Sequence, residues 1–259
     1  MEKDLFERIA QHLSCSPELI IRDGIKFRDG NGPTFDSTGF WENHPGNEKA
    51  LWSQSCYRPL ELTKDLNDDC AWDIRCETGL KPHTNERKIG NRFYRNLMSW
   101  RYLIDNALKN GVFTDFESIR DEEIIDNFNL NPAARINCKK TLGTGSCSNV
   151  ELRHHIKLYG DEIQKQIIGM HSNVIYIGGF SENLMLDKIV MPIMPDLVSA
   201  EIGKWIYYSF KEHAVVINGY HPSYWIDLER IYNQLKEVLK EFLKTDFYAD
   251  FRVTLDNLN

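Results

Sequence analysis

Hydrophobic positions recur along this chain with two periods, and the changes from one to the other outline its elements. Leu5, Ile9 and Leu13 fall on one stripe at helical spacing, which predicts an amphipathic helix over roughly residues 2 to 13. The same spacing returns in Phe93, Leu97, Trp100, Ile104 and Leu108, predicting a helix from about Asn85 to Lys109 that stops before Gly111. A second helix is predicted around Phe116 to Phe128, and another from Glu151 to Met170 through Leu152, Ile156, Tyr159, Ile163 and Ile167. A helical stretch is read near Leu197 to Phe210, and a last helix from about Asp227 to Lys244 on Leu228, Ile231, Leu235, Val238 and Phe242. Between these lie short runs that read as strands: Tyr57 to Thr63, Ala133 to Ile136, Val174 to Ile177 and Val215 to Ile217.

Four strands separated by helices form a βαβ series. The fold class expected is therefore α/β, with a doubly wound, mostly parallel, four-stranded sheet flanked by helices. In such a sheet the carboxyl ends of the strands share one rim, where ligands bind. Two stretches lack periodicity. Residues 22 to 55 are rich in Gly, Asn, Asp, Pro and aromatics, and long irregular segments within a domain are usually functional or mobile. Residues 245 to 259 are read as a tail or an added edge strand.

A length of 259 residues suits one domain with a sizeable core. No apolar run approaches a membrane span, and the charged opening helix is unlike a signal peptide, so a cytoplasmic protein without membrane contact is expected. The six cysteines contain no CxxC pair, which signals neither a zinc site nor a disulfide framework. A net charge of −7 argues against general coating of nucleic acid, although a locally basic groove is compatible with it.

The residues just past the four strand ends are Lys64 to Asn67, Asn137 to Lys140, Gly178-Gly179 and Tyr220 to Ser223. Taken singly, they have ordinary readings. An Asn after a strand commonly caps a turn, and a His in a β-to-α connection is commonly a surface residue. Taken in order, INCKK, VIYIGG and GYHPSY resemble the motifs of the uracil-DNA glycosylase superfamily. The resemblance runs from roughly Pro59 to Leu243 and is strongest from Arg135 onwards. LTKDLNDDCAWD stands in the place of the superfamily's water-activating loop but departs from it. Lys64-Asp65-Leu66-Asn67 replaces a glycine-led, proline-containing loop.

The resemblance implies a monofunctional DNA glycosylase that flips a base out of the duplex and hydrolyses its N-glycosidic bond, leaving an abasic site. It assigns base recognition to Asn137 and donation to the departing base to a neutral His221. Asp65, with Asp73 as second choice, becomes the carboxylate near the sugar, and Asn67 a group that positions water. Trp72 or Tyr94 would stack on the base. Lys139, Lys140 and the Gly143 to Ser148 turn would meet phosphates, and Ser223, Tyr224 and Trp225 would form the turn and wedge that enter the duplex. The four-cysteine spacing of the cluster-bearing branch is not visible, so no cofactor is implied.

The implied partner is double-stranded DNA with an extruded base, bound by a monomer in a prokaryotic cytoplasm. The altered first motif and the long 22 to 55 segment point away from plain uracil. They point towards glucosylated hydroxymethylcytosine in phage DNA, an antiviral role. The alternatives are a uracil-DNA glycosylase of base-excision repair and a catalytically silent binder of DNA or nucleotide. Glu61 and Lys64, at the end of one strand, also raise a nuclease.

Overall fold

The computed structural model describes residues 2–27, 34–35, 41–43, 46–65, 73–80, 87–143, 146–179, 181–200, 204–225 and 227–257. In chain order these give α1 (Glu2–Leu13), β1 (Gly24–Ile25), β2 (Thr34–Phe35), β3 (Trp41–Asn43), α2 (Glu48–Gln54) and β4 (Pro59–Thr63). Next come α3 (Arg92–Asn110), α4 (Asp121–Leu130), β5 (Ala134–Asn137), α5 (Asn149–Met170) and β6 (Val174–Gly178). The chain continues with α6 (Met191–Ile193), β7 (Val198–Ser199), β8 (Ile206–Ser209), β9 (Ala214–Gly219), α7 (Leu228–Phe242) and α8 (Asp246–Asn257).

The class is α/β, and the principal sheet has seven strands rather than four, in the order β1-β5-β4-β6-β9-β8-β7. The four predicted strands form its parallel centre, β5-β4-β6-β9. β1 adds an antiparallel edge on β5, and β8 with β7 extends the other side antiparallel to β9. β2 and β3 pair separately as a two-stranded ribbon.

Every position of the central strands is buried, and successive side chains go to opposite faces, as a sheet covered on both faces requires. Leu60, Leu62, Ile175, Ile177 and Val216 join the core cluster that includes residues of α1 and α5. Val174, Tyr176, Val215 and Ile217 join the cluster built with α3, α7 and α8. The sheet is thus the middle of three layers.

Two predicted elements are corrected. The stretch from Leu197 to Phe210 is not helical but forms β7 and β8. Ile206 and Tyr208 face one core cluster and Tyr207 the other, a period of two that a run of bulky apolar residues hides. The C-terminal stretch is neither tail nor edge strand but α8, which buries Phe251 and Leu255, four residues apart. The helix predicted from Asn85 starts at Arg92, because Asn91 caps it: its side-chain oxygen accepts from the Tyr94 N–H at 3.0 Å. Among the described residues, no helix is long and apolar enough to cross a membrane.

Candidate active site

The chain leaves β4 to form β5 on one side and then returns through α5 to form β6 on the other. The carboxyl end of β4 lies at this reversal, the place where doubly wound sheets form the crevice that binds ligands. The strand ends are level there, since Asn137 pairs with Thr63, Thr63 with Gly178, and Gly178 with Gly219.

Thr63 and Asn137 each lie two residues beyond a buried charged residue, Glu61 and Arg135, and so project from the same face of the sheet. That face is covered by α3. The Thr63 hydroxyl donates to the Asn137 side-chain oxygen. The Asn137 backbone N–H donates to Asp23 Oδ2 at 2.8 Å, which fixes the residue from behind. Its Nδ2 is buried and has no hydrogen-bond partner among the described residues.

The His-Pro-Ser turn folds back over this floor because glycines leave room for it. A Cβ at Gly178 would stand 3.0 Å from Pro222 Cδ and 3.4 Å from Thr63 Cγ2, and one at Gly219 would stand 2.6 Å from the Tyr176 hydroxyl. Asn96 of α3 donates to the Pro222 carbonyl at 2.6 Å, and the Tyr176 hydroxyl donates to the Tyr220 carbonyl at 2.7 Å. These contacts set His221 beside Phe93 of α3, with ring centroids 6.0 Å apart. The Ser223 N–H donates to His221 Nδ1 at 3.2 Å, so in the neutral ring the proton resides on Nε2. Nε2 is also buried and unpartnered. Burial, reinforced by the cations of Lys64 and Arg135, pushes the imidazole down to about 4, which keeps it neutral at physiological pH.

On the side of α5, Asp65 is buried, with Lys139 Nζ 3.9 Å from its Oδ2. That oxygen makes no hydrogen bond among the described residues. Burial raises the Asp65 carboxyl above its ordinary value; Lys139 opposes the shift and Glu151 adds to it. The strand ends therefore carry a carboxylate oxygen that is 3.9 Å from a lysine ammonium but makes no hydrogen bond among the described residues, and two N–H donors without acceptors there. Buried polar atoms are nearly always paired, so three unpartnered ones at the carboxyl ends of the central strands make this the candidate site.

A second group of buried ions lies behind the crevice and is paired charge to charge, although Glu77 Oε2 has no hydrogen-bond partner among the described residues. Arg135 pairs with Glu61, its Nη2 at 2.9 Å, and with Glu77. Arg101 reaches Glu61 at 3.3 Å and Asp105 at 2.7 Å. Asp105 also accepts from the Tyr57 hydroxyl at 2.8 Å and from Asn127 at 2.9 Å. Burial alone would raise Glu61, but Arg135 and Arg101 overcome it and hold the carboxyl below the usual range.

Several sequence assignments are relocated. Lys140 is fully buried: its ammonium donates to Asp23 Oδ1 at 2.6 Å and to Gln166 at 3.1 Å. Lys139 is buried between Glu151, at 2.7 Å, and Asp65. Neither lies on the surface, as a phosphate contact requires. Asp73 caps a short turn and binds the Arg75 side chain, so it is not at the rim. The Tyr94 hydroxyl donates to Glu77 at 2.5 Å, which makes it part of that paired group rather than a free stacking ring. Both Glu61 oxygens are taken by arginines, against a nuclease role. Asn67 and Trp72 lie outside the described residues.

Ser223, Tyr224 and Trp225 are exposed beyond the turn. Trp225 is 84% exposed, too open for a hydrophobic staple, with the Arg92 guanidinium 4.0 Å from its ring centroid. Tyr224 stacks on Tyr220 at 5.4 Å. An open groove of about 610 Å³ beyond Tyr220, lined by Trp205 and one stripe of α7, contains none of the crevice residues.

Sequence reading missed Thr63, Phe93, Asn96 and Asp23. Phe93 was absorbed into the helix stripe. Thr63 alone carried a readable signal, as a hydroxyl residue at the last position of a buried apolar strand. No family model, curated protein or solved structure matches the chain.

Proposed function

We propose that the chain is a monofunctional DNA glycosylase acting on a modified pyrimidine. The observation that carries this reading is the pair of buried donors without partners among the described residues, Asn137 Nδ2 and His221 Nε2, at the strand ends, with the buried Asp65 carboxylate, 3.9 Å from the Lys139 ammonium, on the side of α5. A base turned out of the duplex presents acceptors that would complete both donors, and Phe93 supplies an apolar ring beside it.

As the N-glycosidic bond lengthens, negative charge gathers on the base and positive charge on the sugar. A neutral His221 donating through Nε2 stabilises the first without having to give up a proton. Asp65 stabilises the second and orients the attacking water, as carboxylates do in glycoside hydrolysis. The exposed Tyr224 and Trp225 are placed on the turn that follows His221, where a wedge can fill the gap left in the stack. The order of the motifs and the departure at Lys64 to Asn67 favour glucosylated hydroxymethylcytosine in phage DNA as substrate, and hence an antiviral role.

The test is incubation of the purified protein, with chelator, on glucosylated phage DNA, uracil-containing duplex and unmodified DNA, followed by an abasic-site probe and detection of released base. Release from the glucosylated DNA alone, lost in His221→Ala and Asn137→Ala, is expected. Release of uracil alone would replace this reading with base-excision repair. Binding without abasic sites on any DNA would remove the enzyme and keep a binder.

A further inference from the structure

Three charged side chains meet where α5 begins. Lys139, just past the end of β5, carries its ammonium 2.7 Å from Glu151 Oε1 and 3.9 Å from Asp65 Oδ2. The two carboxylates differ in exposure: the side chain of Glu151 is 38% exposed, while those of Lys139 and Asp65 are 4% exposed. Glu151 is fixed in the first turn of α5, where its N–H donates to the capping Ser148 hydroxyl oxygen at 3.1 Å. The ammonium is therefore bonded to the outer carboxylate and stands beside the inner one, beyond hydrogen-bond distance. Of the other titratable groups nearby, burial pushes the Cys147 thiol up to about 11 and lowers His155, which lies near Lys139, so both are neutral at physiological pH. Lys64 is the second cation near Asp65, and its ammonium donates to Asn149 at 3.0 Å.

We infer that Lys139 and Glu151 are positioning residues for Asp65: the Lys139 ammonium keeps the buried carboxylate charged, and Glu151 holds that ammonium back so that Asp65 Oδ2 stays open to a ligand or a water. The use of Asp65 in turnover rests on the glycosylase reading, whereas its charge and the placing of Lys139 do not. Burial disfavours a charged carboxyl, and Oδ2 has no hydrogen bond among the described residues to offset that cost. A cation within about 4–6 Å favours the charged form by about 1–3 pH units. A direct hydrogen-bonded pair would favour it further but would occupy the oxygen. Sharing the ammonium with an outer carboxylate removes the conflict, because charge still acts over 3.9 Å where a hydrogen bond does not form. A carboxylate that steadies positive charge on a sugar and orients water has to be both ionised and unoccupied.

The experiment titrates the Asp65 carboxyl in the whole protein by carbon-13 NMR, its signal identified by loss in Asp65→Asn, and follows single-turnover base release from glucosylated phage DNA against pH. The wild type, Lys139→Met and Glu151→Gln are compared. Lys139→Met is expected to raise the Asp65 midpoint by about 1–3 pH units and to carry the acidic limb of base release with it, with release recovering well above the new midpoint. Glu151→Gln is expected to lower the midpoint, because a like charge and the competing partner of Lys139 are both gone. It should also slow release at every pH, because the ammonium then takes the Asp65 oxygen. A Lys139 that only supported the fold would reduce the rate alike at all pH values and leave the midpoint where it was. A midpoint unmoved in Lys139→Met, or moved the same way in both variants, overturns the inference even if the protein excises bases. Opposite shifts in a protein that releases no base from any DNA keep the positioning roles and discard the enzyme. Should Lys139→Met fail to fold, Glu151→Gln, at a partly exposed side chain, decides: a lowered midpoint supports the inference and any other result overturns it.

Discussion

Two groups of buried polar side chains lie against the α3 face of the sheet, a few residues apart in sequence, and they differ in one respect. Behind the crevice, Glu61, Arg101, Asp105, Arg135 and Glu77 form a group in which every ion has an opposite partner. In the crevice itself, Asn137 and His221 keep donors that nothing in the described chain accepts. The contrast separates ions neutralised within the fold from neutral donors left without an acceptor among the described residues. In the paired group, removing a partner should unfold the protein. In the open group, removing a side chain should abolish binding or turnover and leave the fold intact.

The largest expected effect tests the paired group. Arg101→Met leaves Glu61 and Asp105 without a shared cation and should lower unfolding stability by about 3–5 kcal/mol in denaturant titration. Lys140→Met should behave alike, by stranding Asp23. If Lys140 instead served as a phosphate contact, the variant would keep its stability and lose salt-dependent DNA affinity. Next comes the open group: His221→Ala should reduce single-turnover base release by about 10²–10³-fold, with thermal unfolding no lower than in the wild type.

A smaller effect comes from pH. The folded-state value of His221, about 4, lies below that of an unfolded histidine, about 6.5. The unfolded chain therefore takes up the proton first. The stability contributed by the neutral ring is complete above the unfolded value and is lost as pH falls towards 4. His221→Phe should flatten that part of the stability profile. A wild-type profile that stays level between those values would show that the ring is not desolvated. The smallest effect is expected at Trp225. Trp225→Ala should weaken excision from duplex by about tenfold while sparing single-stranded substrate, because a wedge matters only where a stack must be opened.

The parallel centre of the sheet was legible because buried parallel strands are written as unbroken apolar runs, as in Val215 to Ile217. β8 was not. Its Ile206, Tyr207 and Tyr208 are all bulky, and only their opposite faces in the folded state reveal the period. α8 was misread because its aspartates dilute the Phe247, Phe251 and Leu255 stripe. That Asn137, His221 and Asp65 stand at the carboxyl ends of strands was legible from the apolar runs before them. The roles of Lys139 and Lys140 were not, because a sequence displays a charge but not its partner. Asp23 lies more than a hundred residues from Lys140 in the chain, and no local pattern joins them. The hydroxyl of Thr63 at the end of its strand was readable, but its contact with Asn137 comes from register with β5, which no local pattern shows.

The interior position of those two lysines bears on how binding to DNA would depend on salt. Their ammonium groups are spent on Asp23, Glu151 and Asp65, and the chain as a whole carries a net charge of −7. On the proposed function these two lysines release no counterions on contact with DNA, so any salt dependence of its affinity has to come from other basic side chains, and replacing either lysine should leave that dependence unchanged.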